Sequence, residues 1–182
     1  MEKTYTLEVA GQVRTLPIIP ISDTLSIASF VILGDAVLVK AAAPELAKKL
    51  PEVDVIVTAE AKGIPLVHEM AHCLGMGRYY VARKSTKAYM KDPVVDQVNS
   101  ITTTEKQLLC MDGKDAEAIC GKRVALVDDV ISTGESLDAL ERLVTAAGGI
   151  VAARAAILAE GDAAKRDDII FLEELPLFPR EK

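Results

Sequence analysis

From Asp54 onward the sequence alternates between two periodicities, and that alternation leaves few folds open. Val55 to Thr58 is a short β-branched run, Ile64 to Leu74 carries apolar residues at helical spacing, and Tyr79 to Ala82 is apolar again. Further on, Val124 to Val127 and Ile150 to Leu158 are apolar runs on either side of a helical pattern from about Ser136 to Ala147, which Gly148 and Gly149 stop. Strand, helix, strand units of this kind build a parallel sheet covered by helices on both faces. Composition agrees, since half of the residues are apolar and only 4% are aromatic, the Ala, Val, Leu and Ile profile of strands buried on both sides. The expected fold is α/β, a doubly wound, mostly parallel sheet flanked by helices. Ligands of such sheets sit beyond the carboxyl ends of the strands, so the polar turns after residues 58, 82 and 127 predict a composite site.

Ahead of that region, residues 4–10 and 12–19 alternate loosely and meet at Gly11, as two short strands and a turn do, until Pro17 and Pro20 stop regular pairing. Ile27 to Leu33 is either a strand or an apolar helix. Val37 to about Leu50 is a helical pattern that ends on Lys48 and Lys49, with Pro51 beyond it. Lys106 to Met111 predicts a returning strand, and Ile169 to Leu172 a last short one. With 182 residues and no repeat or linker, the expectation is a single domain over 1–182.

The bulk chemistry excludes several function classes. A formal charge of -6 argues against nucleic-acid binding driven by phosphate neutralisation. No basic segment followed by an apolar one opens the sequence, and the longest apolar stretch, Ile27 to Val39, is broken by Ser29, Gly34 and Asp35, so neither a leader nor a membrane span is expected and the location expected is cytoplasmic. Cys73, Cys110 and Cys120 match no metal knuckle and no CxxC motif, and are read as structural thiols. His68 and His72 share a helix face, but no third ligand stands at a telling spacing, so they are read as helix surface.

The most informative stretch is Arg123 to Leu137. Its apolar run delivers two carboxylates, Asp128 and Asp129, then a Ser-Thr-Gly turn that opens a helix. Free backbone N–H groups and the positive end of the helix dipole suit a phosphate there, and the hydroxyls of Ser132, Thr133 and Ser136 add donors. The carboxylates match sugar hydroxyls, or a cation bridging through water. Glu60-Ala61-Lys62-Gly63 repeats the strand-to-helix logic one unit upstream, with a glycine for close approach and a lysine for charge. After the next strand, Arg83, Lys84 and Lys87 supply mobile and bidentate cations.

The segment RVALVDDVISTGESL resembles the signature of the type I phosphoribosyltransferases: apolar residues, two acids, then a Thr-Gly turn. That resemblance implies the fold above with a small hood, here about 1–36, and a flexible lid over 88–104. It implies Asp128 and Asp129 on the ribose hydroxyls of phosphoribosyl pyrophosphate (PRPP), with Ser132, Thr133, Gly134, Glu135 and Ser136 around its 5′-phosphate. Glu135 departs from the pattern, standing where many relatives carry a second glycine. Ala61, Lys62, Gly63, Arg83, Lys84 and Lys87 would hold the pyrophosphate, with a non-proline cis peptide near Ala61-Lys62. Asp128, Asp129 and Lys87 are the implied catalytic set.

The Arg83 to Lys87 run is similar to the lid entry of adenine phosphoribosyltransferases. Ser100 to Thr104 is more similar to bacterial xanthine enzymes and to the related purine-responsive regulator, and Glu105 is the nearest lid carboxylate. Ser132 stands where the hypoxanthine-guanine branch carries an Asp. The implied activity is transfer of the phosphoribosyl group to a purine, adenine first, giving AMP and pyrophosphate. The alternatives are xanthine or another purine, or a PRPP-sensing regulator without turnover. The implied cofactor is Mg²⁺, reached mainly through PRPP and water, and the implied assembly is a homodimer. Base selection is expected around Ile27 to Asp35 and Lys165 to Phe178.

Overall fold

The computed structural model describes residues 3–98 and 107–180. Five strands form its central sheet: β4 (Val55–Ala59), β5 (Tyr80–Ala82), β8 (Arg123–Ile131), β9 (Ile150–Glu160) and β10 (Ile170–Leu175). All neighbours are parallel, in the order β10-β9-β8-β4-β5. The doubly wound α/β expectation is met.

Helices α1 (Ala36–Lys49) and α2 (Ile64–Cys73) share one apolar cluster with the sheet, and α3 (Gly113–Ile119) and α4 (Glu135–Ala146) share the other. In α1 the buried residues Leu38, Val39, Ala42, Ala43, Leu46 and Ala47 recur at helical spacing. Its start is capped by Asp35, whose side chain accepts from the Leu38 N–H. Pro44 lies inside this helix; the carbonyl it leaves without a donor belongs to exposed Lys40, where water can serve it. By contrast α3 carries little sequence signal, because it is short and buries only Ala116 and Ile119.

A second sheet forms the hood. β1 (Thr4–Val9) and β2 (Gln12–Pro20) are an antiparallel hairpin whose turn residues, Ala10 and Gly11, both have positive φ. β2 then pairs with β3 (Leu25–Ala28), which resolves the ambiguous Ile27 segment as strand followed by loop. The fourth member is β11 (Leu177–Pro179), pairing with β3, so the hood draws on residues far from 1–36. Leu7, Phe30 and Ile32 are buried in the same cluster as α1 and α2. Each such side chain contributes about 1.5–3 kcal/mol on burial, enough to fix the hood over the sheet. An ion pair adds registration, with Arg14 of β2 donating twice to Asp35, at 2.6 and 3.0 Å.

β6 (Val94–Val98) and β7 (Gln107–Met111) form a separate antiparallel pair. It leans on α4, where Arg142 meets Asp96 at 3.0 Å. Ser100 to Thr104 and Glu105 of the expected lid lie outside the described residues. Among the described residues no helix is long and apolar enough to cross a membrane.

Two strand ends differ from expectation: β2 keeps pairing through Pro17 to Pro20, its later residues opposite β3, and β8 is longer than its apolar run. β8 runs to Ile131, so Asp128 and Asp129 belong to the strand, because β9 continues to pair with it as far as Ile131↔Ala159. The cis peptide lies at Glu60-Ala61, one bond before the expected Ala61-Lys62.

Candidate active site

β4 and β8 are neighbours, yet β4 leads to α2 on one face of the sheet and β8 leads to α4 on the other. The turns between them diverge, and a crevice opens at this switch of direction. The resulting cleft has a volume of about 850 Å³. Its wall includes Ala61, Lys62, Lys84, Asp128, Asp129, Ser132, Thr133, Gly134, Glu135 and Ser136.

At its centre are the two carboxylates of β8. β4 pairs with β8 up to Val57↔Leu126, so Asp128 and Asp129 emerge where β4 is turning away. Asp129 is only 1% exposed. Lys62 Nζ lies 3.2 Å from Asp129 Oδ2, but the two are not aligned as a hydrogen bond, and this buried oxygen has no hydrogen-bond partner. A buried acceptor left in that state costs about 1–3 kcal/mol, which a ligand hydroxyl or a hydrated cation would recover. Asp128 Oδ1 accepts from the Asp129 N–H at 2.8 Å. Burial, and then the charge of Asp129, push the Asp128 carboxyl up to about 7.

Beyond Ile131 the chain turns through Ser132, Thr133 and Gly134 into α4. Gly134 has φ 88°, a left-handed conformation that favours glycine; a Cβ there would lie 2.7 Å from Arg166 Nη1, a mobile side-chain end that could give way. The N-cap residue Gly134 offers no side chain to α4; the Glu135 N–H reaches Thr133 Oγ1 at a long 3.4 Å, and the N–H groups that follow in the first turn are open to a ligand. The hydroxyls of Ser132, Thr133 and Ser136 are exposed beside them. Glu135 and Asp138 occupy the first turn; they suit the helix dipole but compete with an anion for it.

The turn after β4 is built the same way. Gly63 caps α2 without a side-chain hydrogen bond. A Cβ at Gly63 would fall 2.1 Å from Thr58 Oγ1 and 3.3 Å from the Val127 carbonyl, so the turn lies flat on the ends of β4 and β8. Glu60, which the sequence reading leaves without a role, organises the neighbouring turn. Its Oε2 accepts from the Lys84 N–H and from Arg83 Nε, each at 3.0 Å. Those two bonds hold the Glu60 carboxyl below its ordinary range. Its partners lie 23 and 24 residues away, a pairing no local pattern reveals.

Not all of the expected cations reach the cleft wall. Lys84 does, whereas the Arg83 Nη1 donates to the Tyr89 hydroxyl at 2.9 Å and borders a second depression with Arg78, Asp112 and Lys114. Lys87 donates to Ser85 Oγ and stands near enough to Glu60 to help lower its carboxyl. His68 and His72 are exposed, His68 edge-on to Tyr79. Cys110 is buried, and Cys73 and Cys120 are exposed free thiols. The rest of the wall includes Ile27 to Val31 of the hood, Leu108 and Leu109 of β7, Leu175, and Glu160 at the end of β9; this last residue carries no sequence signal beyond ending an apolar run.

Residues 33–175 match the family model described as phosphoribosyl transferase domain. The chain belongs to the phosphoribosyltransferase family. Among curated relatives, an adenine phosphoribosyltransferase of Rhodococcus jostii (strain RHA1) is 38% identical over 113 residues, covering 62% of this chain and 61% of that protein. A hypoxanthine/guanine phosphoribosyltransferase of Ferroglobus placidus is 35% identical over 115 residues, covering 63% of this chain and 57% of that protein. The chain thus spans about three fifths of the length of these relatives. Among solved structures, an adenine phosphoribosyltransferase from Thermoanaerobacter pseudethanolicus superposes with a TM-score of 0.69 at 24% identity, over 87% of this chain and 95% of that one. That likeness concerns the fold.

Proposed function

We propose that this phosphoribosyltransferase transfers the phosphoribosyl group of PRPP to a purine base, adenine first, giving AMP and pyrophosphate. The observation that carries the reading is the pair of uncapped helix starts, at Gly63 and Gly134, on either side of Asp128 and Asp129. Two anion cradles with carboxylates between them match a sugar bearing a phosphate at each end.

In this reading the 5′-phosphate sits on the turn Ser132 to Ser136, and Asp128 and Asp129 accept hydrogen bonds from the ribose 2′- and 3′-hydroxyls. The pyrophosphate lies against Ala61 to Gly63 and Lys84, and Arg83 and Lys87, which do not line the cleft in this structure, would have to turn toward it to neutralise charge as it departs. The base nitrogen then bonds to C1′ while the C1′–O bond to pyrophosphate breaks and its electron pair leaves with the oxygen. Electrostatic stabilisation of that departing charge is usually the largest single contribution to such a step.

The orphaned Asp129 Oδ2 and its neighbour Asp128 are hard oxygen donors suited to holding a hydrated Mg²⁺. Such an ion, if held there through its water shell, would supply positive charge to offset that of the pyrophosphate. The segment 88–104 is read as the lid that excludes water, and the same proposal extends to a cytoplasmic homodimer.

The test is a base panel. The purified chain with PRPP and Mg²⁺ is expected to release pyrophosphate with adenine. Release with xanthine or hypoxanthine alone overturns the base, and release with none favours a PRPP-sensing regulator.

A further inference from the structure

Once PRPP is placed as above, one part of the cleft has no role. The 5′-phosphate takes the α4 turn, the ribose takes Asp128 and Asp129, and the pyrophosphate takes Ala61 to Lys84. What is left includes an apolar wall of Ile27, Phe30 and Val31 from the hood and Leu175 from β10, with two polar side chains in it, Ser29 and Glu160, of which only Glu160 is ionisable.

The sheet fixes where that carboxyl stands. Glu160 is the last residue of β9 and pairs with Leu175 of β10, while the preceding Ala159 pairs with Ile131, the last residue before the phosphate turn. It therefore sits at the seam between the sheet and the hood. Among the described residues none hydrogen-bonds its carboxyl; burial raises it above its ordinary range, and the charge of Lys62 pulls the other way. Lys62 itself is already beside Asp129. A half-buried acceptor among apolar side chains is poorly compensated, and a ligand N–H would compensate it.

We infer that Glu160 is a specificity-determining residue, accepting a hydrogen bond from the exocyclic 6-amino group of the purine held between the hood and β10. This rests on the transferase reading above. A carboxylate only accepts, so it complements a 6-amino donor, whereas a 6-oxo group would meet it lone pair to lone pair. The apolar walls supply the faces on which a flat ring lies, and the carboxyl supplies the orientation, the usual division of labour in a small-molecule pocket.

Steady-state kinetics with adenine and with hypoxanthine test this on the full chain, comparing the unaltered protein with Glu160→Gln and Glu160→Leu. A carboxamide can donate as well as accept, so Glu160→Gln is expected to narrow the adenine-to-hypoxanthine ratio of kcat/KM by about tenfold, and Glu160→Leu to raise the adenine KM by about tenfold or more. Calorimetry with PRPP and Mg²⁺ is expected to give the same Kd for all three proteins. An unchanged ratio in Glu160→Gln overturns the inference, as does a parallel loss of PRPP binding in both variants, which would make Glu160 structural. An unaltered protein that prefers hypoxanthine to adenine overturns it too while leaving the transferase reading intact. One that uses no purine refutes that reading and this inference with it.

Discussion

Replacing Asp128 by Asn is expected to stabilise the ligand-free protein at neutral and higher pH while removing the site's hold on ribose. The carboxyl of Asp128 is displaced from its ordinary value of 3.8 to about 7, by burial first and by Asp129 second. The folded state therefore keeps a proton over that interval that the unfolded chain has already released. Where the folded state binds more protons, stability falls as pH rises, so the contribution is intact below 3.8 and gone above about 7. At about 1.4 kcal/mol for each tenfold change, the full displacement corresponds to about 4 kcal/mol. Local relaxation and water entry reduce what an equilibrium measurement reads to about 1–2 kcal/mol. Asn does not titrate, and its side-chain oxygen can still accept from the Asp129 N–H. The assay is urea unfolding of both proteins at about pH 5 and about pH 8, with slopes compared to check that the transition is the same. The parent should lose stability between the two conditions and the variant should lose about 1–2 kcal/mol less. Equal losses in the two proteins would refute the reasoning, because the Asp128 carboxyl would then not be the group that titrates.

Two further outcomes follow from the turns around the cleft. Gly63→Ala places a methyl 2.1 Å from Thr58 Oγ1, so the turn must lift; calorimetry should record weaker pyrophosphate binding, and unfolding a loss of about 1–3 kcal/mol. Lys87→Ala should lower kcat with little change in melting temperature, since its contacts are to an exposed Ser85 and to the field around Glu60; an unchanged kcat would return this lysine to the solvent-facing surface.

The parts of the molecule that were readable in advance are those governed by local rules. The strand and helix periods of residues 55–158, the glycines that permit the two anion turns, and the adjacent acids of β8 all declare themselves within a few residues. What was hidden depends on partners distant in sequence. Nothing near Glu60 announces that it will seize the backbone of Lys84, and Leu177 to Pro179, three residues that follow one proline and end on another, carry no strand signal although they pair with β3. Glu160 is the same case: its neighbours in the chain are strand residues, and only the approach of the hood gives it a cleft to face. The end of β8 was misplaced because strand pairing with β9 outweighs the local signal of two acids.

The contacts of Glu60 carry a consequence for descent. One carboxylate fixes both the side chain of Arg83 and the backbone of Lys84, so the two turns on which pyrophosphate would rest are not independent inheritances. A lineage that lost the acid at 60 would be left with a guanidinium at 83 that has lost its counter-charge and keeps the Tyr89 hydroxyl, and with a Lys84 N–H that has lost its acceptor. Positions 60 and 83 are therefore expected to drift together among relatives, acid and base surviving or vanishing as one, while Lys84, anchored through its main chain, keeps its side chain available to the cleft.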